Sequence, residues 1–178
     1  MNADEIIDEH VLEFLAGGLQ PLVSSGSLRD RLLGSAGGQN RFLPFLDRSM
    51  ALFDLPEAET QVHLRSVDEP DAWEDMLPGV RYRDFDGGPG LADAHVGLVR
   101  LAPGEAFPRH SHVGEERTLV LQGELVDDEG RHYRAGDLIV SADGTTHEVR
   151  AVGDQEAIYA SVVTAITIIA SDDDEDDD

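Results

Sequence analysis

The chain contains no cysteine, and all thirteen of its basic residues are arginine, so it contains no lysine either. The absence of cysteine excludes disulfides, thiolate zinc fingers, iron–sulfur ligation and cysteine nucleophiles. The absence of lysine excludes Schiff-base chemistry and a lysine general base.

Positive charge is also scarce, since 37 acidic residues against 13 arginines give a formal net charge of −24. Nucleic-acid binding requires basic side chains that displace phosphate counterions, so we expect no nucleic-acid partner. Part of the negative charge lies in the run DDDEDDD, residues 172–178, which predicts a solvated, disordered tail. The hydrophobic content of 40% is nevertheless sufficient for a folded core.

No apolar run is long enough for a membrane span. The most apolar stretch, AIYASVVTAITIIA over residues 157–170, is rich in β-branched side chains and predicts one buried strand. The opening sequence MNADEIIDEH lacks the basic residues and the apolar run of a signal peptide. We therefore expect a cytoplasmic protein with no membrane association.

The chain divides into a helical part and a β-rich part. Apolar residues at helical spacing or capping-type starts predict four short helices, over residues 4–16, 27–33, 42–55 and 56–67. From Val80 the hydrophobic period changes to two, with Gly- and Asp-containing turns roughly every ten residues, which is typical of an all-β sandwich or barrel. We predict a helical segment over 1–70, a barrel over 71–171 and the tail over 172–178.

A candidate metal site lies in the stretch RHSHVGEE. His110 and His112 are two residues apart, so they project from the same face of an extended chain. Glu116 lies an even number of residues after both histidines, so on an extended chain it would face the same side, and it follows Gly114, where the chain can bend back. His147 follows the turn DGTT and could return to the same point from a neighbouring strand. Imidazole and carboxylate ligands together suit Zn, Fe, Mn, Ni or Cu.

These residues resemble the two signature motifs of the cupin superfamily. The matching positions are Gly104, His110, His112, Glu116 and Gly123 in the first motif, and Gly136, Ala142, Gly144 and His147 in the second. The resemblance implies a mainly β fold, the double-stranded β-helix or jelly-roll barrel, which holds one divalent transition metal through His110, His112, Glu116 and His147. Ala142 stands where the second motif usually has proline, and Ala151 where it usually has asparagine, but neither position supplies a ligand.

A longer stretch, from Leu28 to Val152, resembles the cupin domain of ChrR-type anti-sigma factors. This resemblance implies zinc as the metal, an ECF sigma factor as the partner and a response to oxidative stress. In that family an N-terminal zinc-bearing helical module with His and Cys ligands grips the sigma factor. This chain has no cysteine, and His10 is the only histidine in its first 40 residues, so that module is absent in its usual form.

Three functions remain open from the sequence. The first is a regulatory or sensory metal cupin that responds to oxidants or to a small-molecule ligand at the metal. The second is a metal-dependent enzyme, either a dioxygenase of a diketone-like or enolic substrate or an isomerase. The third is a binding or structural cupin, and a homodimer is compatible with all three. Fold and metal alone do not specify a reaction.

Other polar and aromatic residues near the motifs are predicted to lie outside the ligand set. Glu115 is a weaker ligand candidate than Glu116 because its parity is opposite. We expect arginines that face solvent, aromatic rings that pack the barrel wall, and histidines that are not ligands. These residues are Arg109 and Arg117; Phe107 and Tyr133; and His63, His95 and His132.

Overall fold

The computed structural model describes residues 41–169, which form two short helices followed by two antiparallel β-sheets. The helices predicted over 4–16 and 27–33, His10 and the acidic tail lie outside the described residues. Within them, no helix is long and apolar enough to cross a membrane. The mainly β architecture preceded by a small helical segment is the predicted one.

Helix α1 spans Leu46–Phe53 and helix α2 spans Glu57–Arg65; one 3-10 turn precedes the pair and two follow it. The predicted helices over 42–55 and 56–67 are thus confirmed. Helix α1 ends at Asp54, whose carboxylate accepts a hydrogen bond of 2.8 Å from the Gly90 N–H. Gly88 lies directly under this helix end, because a Cβ placed on it would be 1.7 Å from the Asp54 carbonyl oxygen. The helix end is therefore held against the loop between the second and third strands.

Within residues 41–169, eleven strands make up the two sheets. They are β1 Glu74–Leu77, β2 Val80–Phe85, β3 His95–Leu101, β4 Ala106–Val113, β5 Glu116–Gln122, β6 Glu124–Asp127, β7 His132–Arg134, β8 Leu138–Ser141, β9 Thr146–Val152, β10 Ala157–Val163 and β11 Ala165–Ile168. The first sheet has the order β1-β2-β3-β10-β5-β8, and the second has the order β11-β4-β9-β6-β7.

One observed strand was not predicted, and one predicted strand is divided in two. Strand β1 begins at Glu74, six residues before the predicted change of period, and its mostly exposed residues show no alternation that could have revealed it. The apolar stretch over 157–170 is not one strand, because an exposed bend at Thr164 divides it into β10 and β11 of different sheets. Thr164 lies against Gly114, where the chain also passes from one sheet to the other.

The buried side chains form two clusters on opposite faces of the six-stranded sheet. One cluster joins the two helices to the outer face of that sheet, where Phe53 and Leu98 are both fully buried. The other lies between the two sheets and includes Leu125 and Tyr159. The helices thus cover the outside of one sheet, while the space between the sheets is left for the candidate site.

Candidate metal centre

Three strands bring the four predicted ligand side chains together. Strand β4 carries His110 and His112, which are 2% and 3% exposed. Strand β9 runs antiparallel to β4 and places His147 directly opposite His110. Glu116 begins strand β5 in the other sheet, after the chain turns at Gly114 with a φ of 81°. That glycine conformation, which other residues rarely adopt, lets the carboxylate return towards the imidazoles.

The four side chains converge on one point. The Nε2 atoms of His110 and His147 are 3.2 Å apart. Glu116 Oε2 lies 3.3 Å from Nε2 of His112 and 3.4 Å from Nε2 of His147. When one ligand atom is taken from each residue, the four atoms all lie within 4.8 Å of one another. The convergence predicted from strand parity and motif spacing is therefore observed.

Hydrogen bonds at the far side of two rings orient their Nε2 atoms towards this point. His110 Nδ1 is 2.7 Å from the carbonyl oxygen of Pro108, so Nδ1 carries the proton and donates it. His112 Nδ1 is 3.2 Å from Thr145 Oγ1. The Thr145 hydroxyl donates its own proton to the Ala142 carbonyl at 2.6 Å, so it accepts from the ring. Both Nε2 atoms are then left with a free lone pair, the form that binds a metal.

The remaining two side chains have comparable supports. Ser161 donates a hydrogen bond of 3.0 Å to Glu116 Oε1, which leaves Oε2 facing the imidazoles. The Nδ1 atom of His147 lies 3.4 Å from the hydroxyl of Ser141. Each of the four side chains is thus held by a group outside the cluster, and such supporting bonds are a regular feature of metal sites.

The charges of the cluster suit a cation. Burial acts to raise the pKa of the Glu116 carboxyl, but the adjacent imidazoles of His112 and His147, within 3.4 Å of it, outweigh burial and hold the pKa well below its usual range. Burial lowers the pKa of His110, which favours its neutral form. At neutral pH the site therefore presents an ionised carboxylate and a neutral imidazole, both of which are electron-pair donors.

One buried atom indicates directly that a group is required at the centre. The side chain of His112 is 0% exposed, and its Nε2 has no hydrogen-bond partner, although the Glu116 carboxylate is nearby. Leaving a buried polar atom unsatisfied costs about 1–3 kcal/mol. Two ligand atoms bound to one tetrahedral zinc at about 2.0–2.1 Å lie roughly 3.3 Å apart, which agrees with the separations of 3.2, 3.3 and 3.4 Å given above. The residues therefore fit a divalent transition metal, which could polarise an oxygen ligand as a Lewis acid.

Two cavities reach the cluster from different sides. A cavity of about 410 Å³ touches Glu116 and has mainly apolar walls. A more polar cleft of about 620 Å³ reaches His147 between β8 and the β6–β7 hairpin. A third concavity, of about 700 Å³, lies along the β2–β3 connection and touches none of the four side chains, so we assign it no part in the site.

Glu115 and the neighbouring arginines lie outside the cluster, as predicted. Arg109 forms an exposed ion pair of 2.7 Å with Asp128. Glu115 is exposed and lies 3.7 Å from the guanidinium of Arg117. The parity argument that preferred Glu116 to Glu115 as the member of the cluster therefore agrees with the structure.

The other three histidines of the described chain also lie outside the cluster. His63 stacks on Phe85 with a ring separation of 3.8 Å, and His132 pairs with Glu124 at 2.6 Å. His95 is exposed and lies at the edge of the 410 Å³ cavity. Their predicted exclusion from the ligand set is consistent with these positions.

Two aromatic residues pack in the barrel as predicted, and the sequence analysis did not identify two polar residues beside the site. Phe107 and Tyr133 belong to the cluster between the sheets, although Phe107 also contacts the ring of His110 at 4.9 Å. Sequence reasoning did not single out Tyr159 or Ser161, which line the same cavity as Glu116. Their alternation within an otherwise apolar strand was a signal that one face of β10 meets a polar site.

Comparison with known proteins identifies the family. A family model described as the ChrR cupin-like domain matches residues 64–166. The crystal structure of Rhodobacter sphaeroides SigE in complex with the anti-sigma ChrR matches with 25% identity and a TM-score of 0.52, over 87% of this chain and 76% of that chain. KdgF from Halomonas sp. matches with 22% identity and a TM-score of 0.45, over 52% of this chain and 86% of that one.

An acetylacetone dioxygenase from Acinetobacter johnsonii matches with 13% identity and a TM-score of 0.49, over 57% of this chain and 74% of that one. The comparison with curated proteins gave no match. The family model covers more than half of the sequence, and its span includes every strand that carries a residue of the cluster. The chain therefore belongs to the ChrR cupin-like domain family and has the jelly-roll fold of the cupins.

Proposed function

We propose that this protein is a sensory metal-binding domain that controls an ECF sigma factor. One zinc ion, held by His110, His112, Glu116 and His147, is its functional centre. The observation that carries the metal assignment is the convergence of three supported imidazoles and one carboxylate around a buried, unpartnered nitrogen. Four protein ligands complete a tetrahedral zinc site, which is typical of structural and regulatory zinc rather than of catalytic zinc with an open position.

The regulatory part of the proposal is supported by the family and by the extent of one structural match. The match to the ChrR complex covers 87% of the chain, whereas the cupin-like family model spans residues 64–166. The likeness to ChrR thus extends beyond the length of a barrel. We therefore propose that the helical segment and the barrel together contact the sigma factor.

The metal assignment is tested by elemental analysis of protein that lacks residues 172–178, because seven adjacent acids bind ions loosely. We expect about one equivalent of zinc per chain, and a loss of at least tenfold in zinc affinity for His147→Ala. The matched control is His132→Ala, since His132 is exposed and lies outside the cluster. The metal assignment would be wrong if the purified protein held less than about a tenth of an equivalent of any transition metal. It would also be wrong if the two variants bound zinc with equal affinity.

The partner assignment is tested with the full chain and a panel of ECF sigma factors from the source organism in a pull-down. We expect one of them to be retained by the zinc-loaded protein, with retention changed when zinc is removed. If none of them is retained although the protein binds zinc at full stoichiometry, the regulatory role is refuted while the metal site stands.

A second candidate function is favoured by the cavity that touches Glu116. A cavity of about 410 Å³ lies within the range of roughly 300–1,000 Å³ found for small-molecule sites. A metal-dependent dioxygenase of a diketone-like or enolic substrate, or an isomerase, would use such a space. Oxygen uptake by the iron-loaded protein with such substrates would favour the dioxygenase, and zinc-bound protein without turnover would favour the sensor.

A further inference from the structure

Strand β8 is the part of the six-stranded sheet that the two helices leave open. It lies at the edge of the sheet, and its one partner strand in the described chain is β5. Leu119 of β5, opposite Leu138, belongs to the buried cluster under the helices. Leu138 itself is 46% exposed and Val140 is 55% exposed, while Ile139 and Ser141 are buried. Within the described residues, the helical layer therefore ends one strand before the edge of the sheet.

Leu138 and Val140 form an exposed apolar patch on the outer face of β8. Seven large apolar side chains are exposed in the described chain, and no other two of them belong to the same strand. Residues two apart on a strand share a face, so these two side chains lie side by side. Phe45 extends the patch, since a Cβ placed on Gly136 would be 3.5 Å from its ring. Exposed apolar patches of this kind mark interaction sites.

An arginine lies at each end of the patch. At one end Arg48 donates a hydrogen bond to the Gly136 carbonyl and forms no ion pair with a described carboxylate. At the other end Arg117 lies opposite Val140, and its described ion pair is a contact of 3.7 Å with the exposed Glu115. Exposed pairs contribute little, so both guanidinium groups are available to carboxylates of a partner. The patch therefore suits an apolar stripe that has acids beside it.

The chain itself contains a segment of this kind. Residues 4–16, DEIIDEHVLEFLA, lie outside the described residues and combine five acids with apolar residues at the spacing of a predicted helix. The predicted helix over 27–33 has two arginines and one acid, so its charge does not complement the patch. Residues 17–40 connect the acidic segment to Arg41, which donates a hydrogen bond to Gln122 of β5. A connection of this length spans up to about 80 Å when extended, so the segment can reach β8.

We infer that residues 4–16 bind in cis to the outer face of β8, beside helix α1, and complete the helical layer of the six-stranded sheet. The apolar side chains of the segment cover Leu138 and Val140. Its acids pair with Arg48 and Arg117 at the two ends of the patch. The contact thus uses the scarce positive charge of the chain to hold a segment of its own excess negative charge.

Strand β8 connects this contact to the candidate metal centre. It ends at Ser141, which lies opposite Glu116 and whose hydroxyl is 3.4 Å from Nδ1 of His147. A segment bound to the outer face of β8 therefore stabilises the strand that supports a proposed ligand from its inner face. As a connection between zinc and the helical segment this rests on the proposed function, whereas the binding of residues 4–16 to β8 does not.

Cysteine cross-linking in the full chain tests the contact, because the chain has no cysteine of its own. The test variant combines Val11→Cys with Val140→Cys, and the matched control combines Val11→Cys with Val62→Cys, since Val62 is 58% exposed on helix α2. The effective concentration of the two thiols is measured by equilibration with a glutathione buffer. We expect a value at least about tenfold higher in the test variant, with the disulfide inside one chain. Equal values in the two variants, or a disulfide mainly between chains, would overturn the inference.

Hydrogen exchange provides a second measurement on the full chain. The backbone amides of residues 4–16 should exchange at least about tenfold faster in Val140→Asp than in the parent, because the new carboxylate repels the acids of the segment. The control Val62→Asp should change these rates by less than about twofold. Equal rates in the parent and Val140→Asp would overturn the inference. Zinc content measured on the same samples reports separately on the proposed metal site, so the two failures are distinguishable.

Discussion

Replacing Thr145 with valine tests whether the hydrogen bond behind His112 supports the metal site. Thr145 Oγ1 is the only described partner of His112 Nδ1, at 3.2 Å, and the His112 side chain is 0% exposed. Valine has nearly the same shape as threonine but cannot accept this bond. The ring then has no group that fixes its proton on Nδ1, so its Nε2 is less often available to the metal.

The expected loss can be stated from the contacts. Removal of an outer hydrogen bond to a metal-ligating histidine usually costs 10–100-fold in metal affinity, which is about 1.4–2.8 kcal/mol. In the absence of metal the same substitution removes two hydrogen bonds, those of the Thr145 hydroxyl with His112 and with the Ala142 carbonyl, so the free energy of unfolding should fall by about 1–3 kcal/mol. With excess zinc the loss should be larger, because weaker binding also reduces the stabilisation that zinc provides by mass action.

The assay is a zinc competition titration with a chromophoric chelator, combined with urea unfolding at saturating zinc and after chelation. Thr146→Val is the control, since this neighbouring threonine is half-buried and its hydroxyl has no hydrogen bond among the described residues. If the zinc affinities of the two variants agree within about threefold, the Thr145 hydroxyl does not support the site, and our reasoning about His112 is wrong.

Three further predictions follow from other parts of the structure. Burial acts to raise the pKa of Asp127, but hydrogen bonds from the backbone and side chain of Arg131 outweigh it and lower the pKa. Asp127→Asn should therefore lower the free energy of unfolding, measured with urea, by roughly 2–3 kcal/mol at pH 7. The difference from the parent should be much smaller once acid has protonated the parent carboxyl. The control Glu129→Gln, at an exposed position, should cost under about 0.5 kcal/mol at either pH. Gly88→Ala should lower the free energy of unfolding by at least about 1–3 kcal/mol, because the added Cβ would be 1.7 Å from the Asp54 carbonyl oxygen, and a thermal melt checks this. Zinc affinity should fall steadily as the pH of the titration is lowered below about 6.5, since protons compete for imidazole nitrogen, and a pH-independent affinity would contradict histidine ligation.

The sign of the Asp127 prediction follows from linkage. A carboxyl whose pKa is lower in the folded state than in the unfolded chain binds fewer protons when folded. Its stabilising contribution is therefore complete above the ordinary carboxyl pKa of about 4, and it is lost as the pH falls through the lower folded value. If the parent and Asp127→Asn differ as much in acid as at pH 7, the ionised carboxylate is not the source of the stability.

Much of the candidate site could be predicted from local sequence, because the relevant geometry is local. On a strand, residues two apart always face the same side, so His110 and His112 had to project together once the stretch was extended. The helices of residues 42–67 were predictable for a similar reason, since their apolar spacing and early acids act within one or two turns. The motif spacing also separated Glu116 from the adjacent Glu115, which indeed points to an arginine.

The sequence by itself determined which side chains could bind a metal, the order of helices before strands, and the ligand chemistry, because composition and parity are properties of the chain alone. Only the tertiary structure decided that His147 lies opposite His110, that the apolar run divides at Thr164, and that Tyr159 lines the same cavity as Glu116. These facts depend on strand register and on which sheet each strand joins, and a shift of one residue would reverse every inward-facing side chain. Pairing between distant strands is set by the whole fold, so the supports behind each imidazole and the cavity beside Glu116 became visible only when the sheets were assembled.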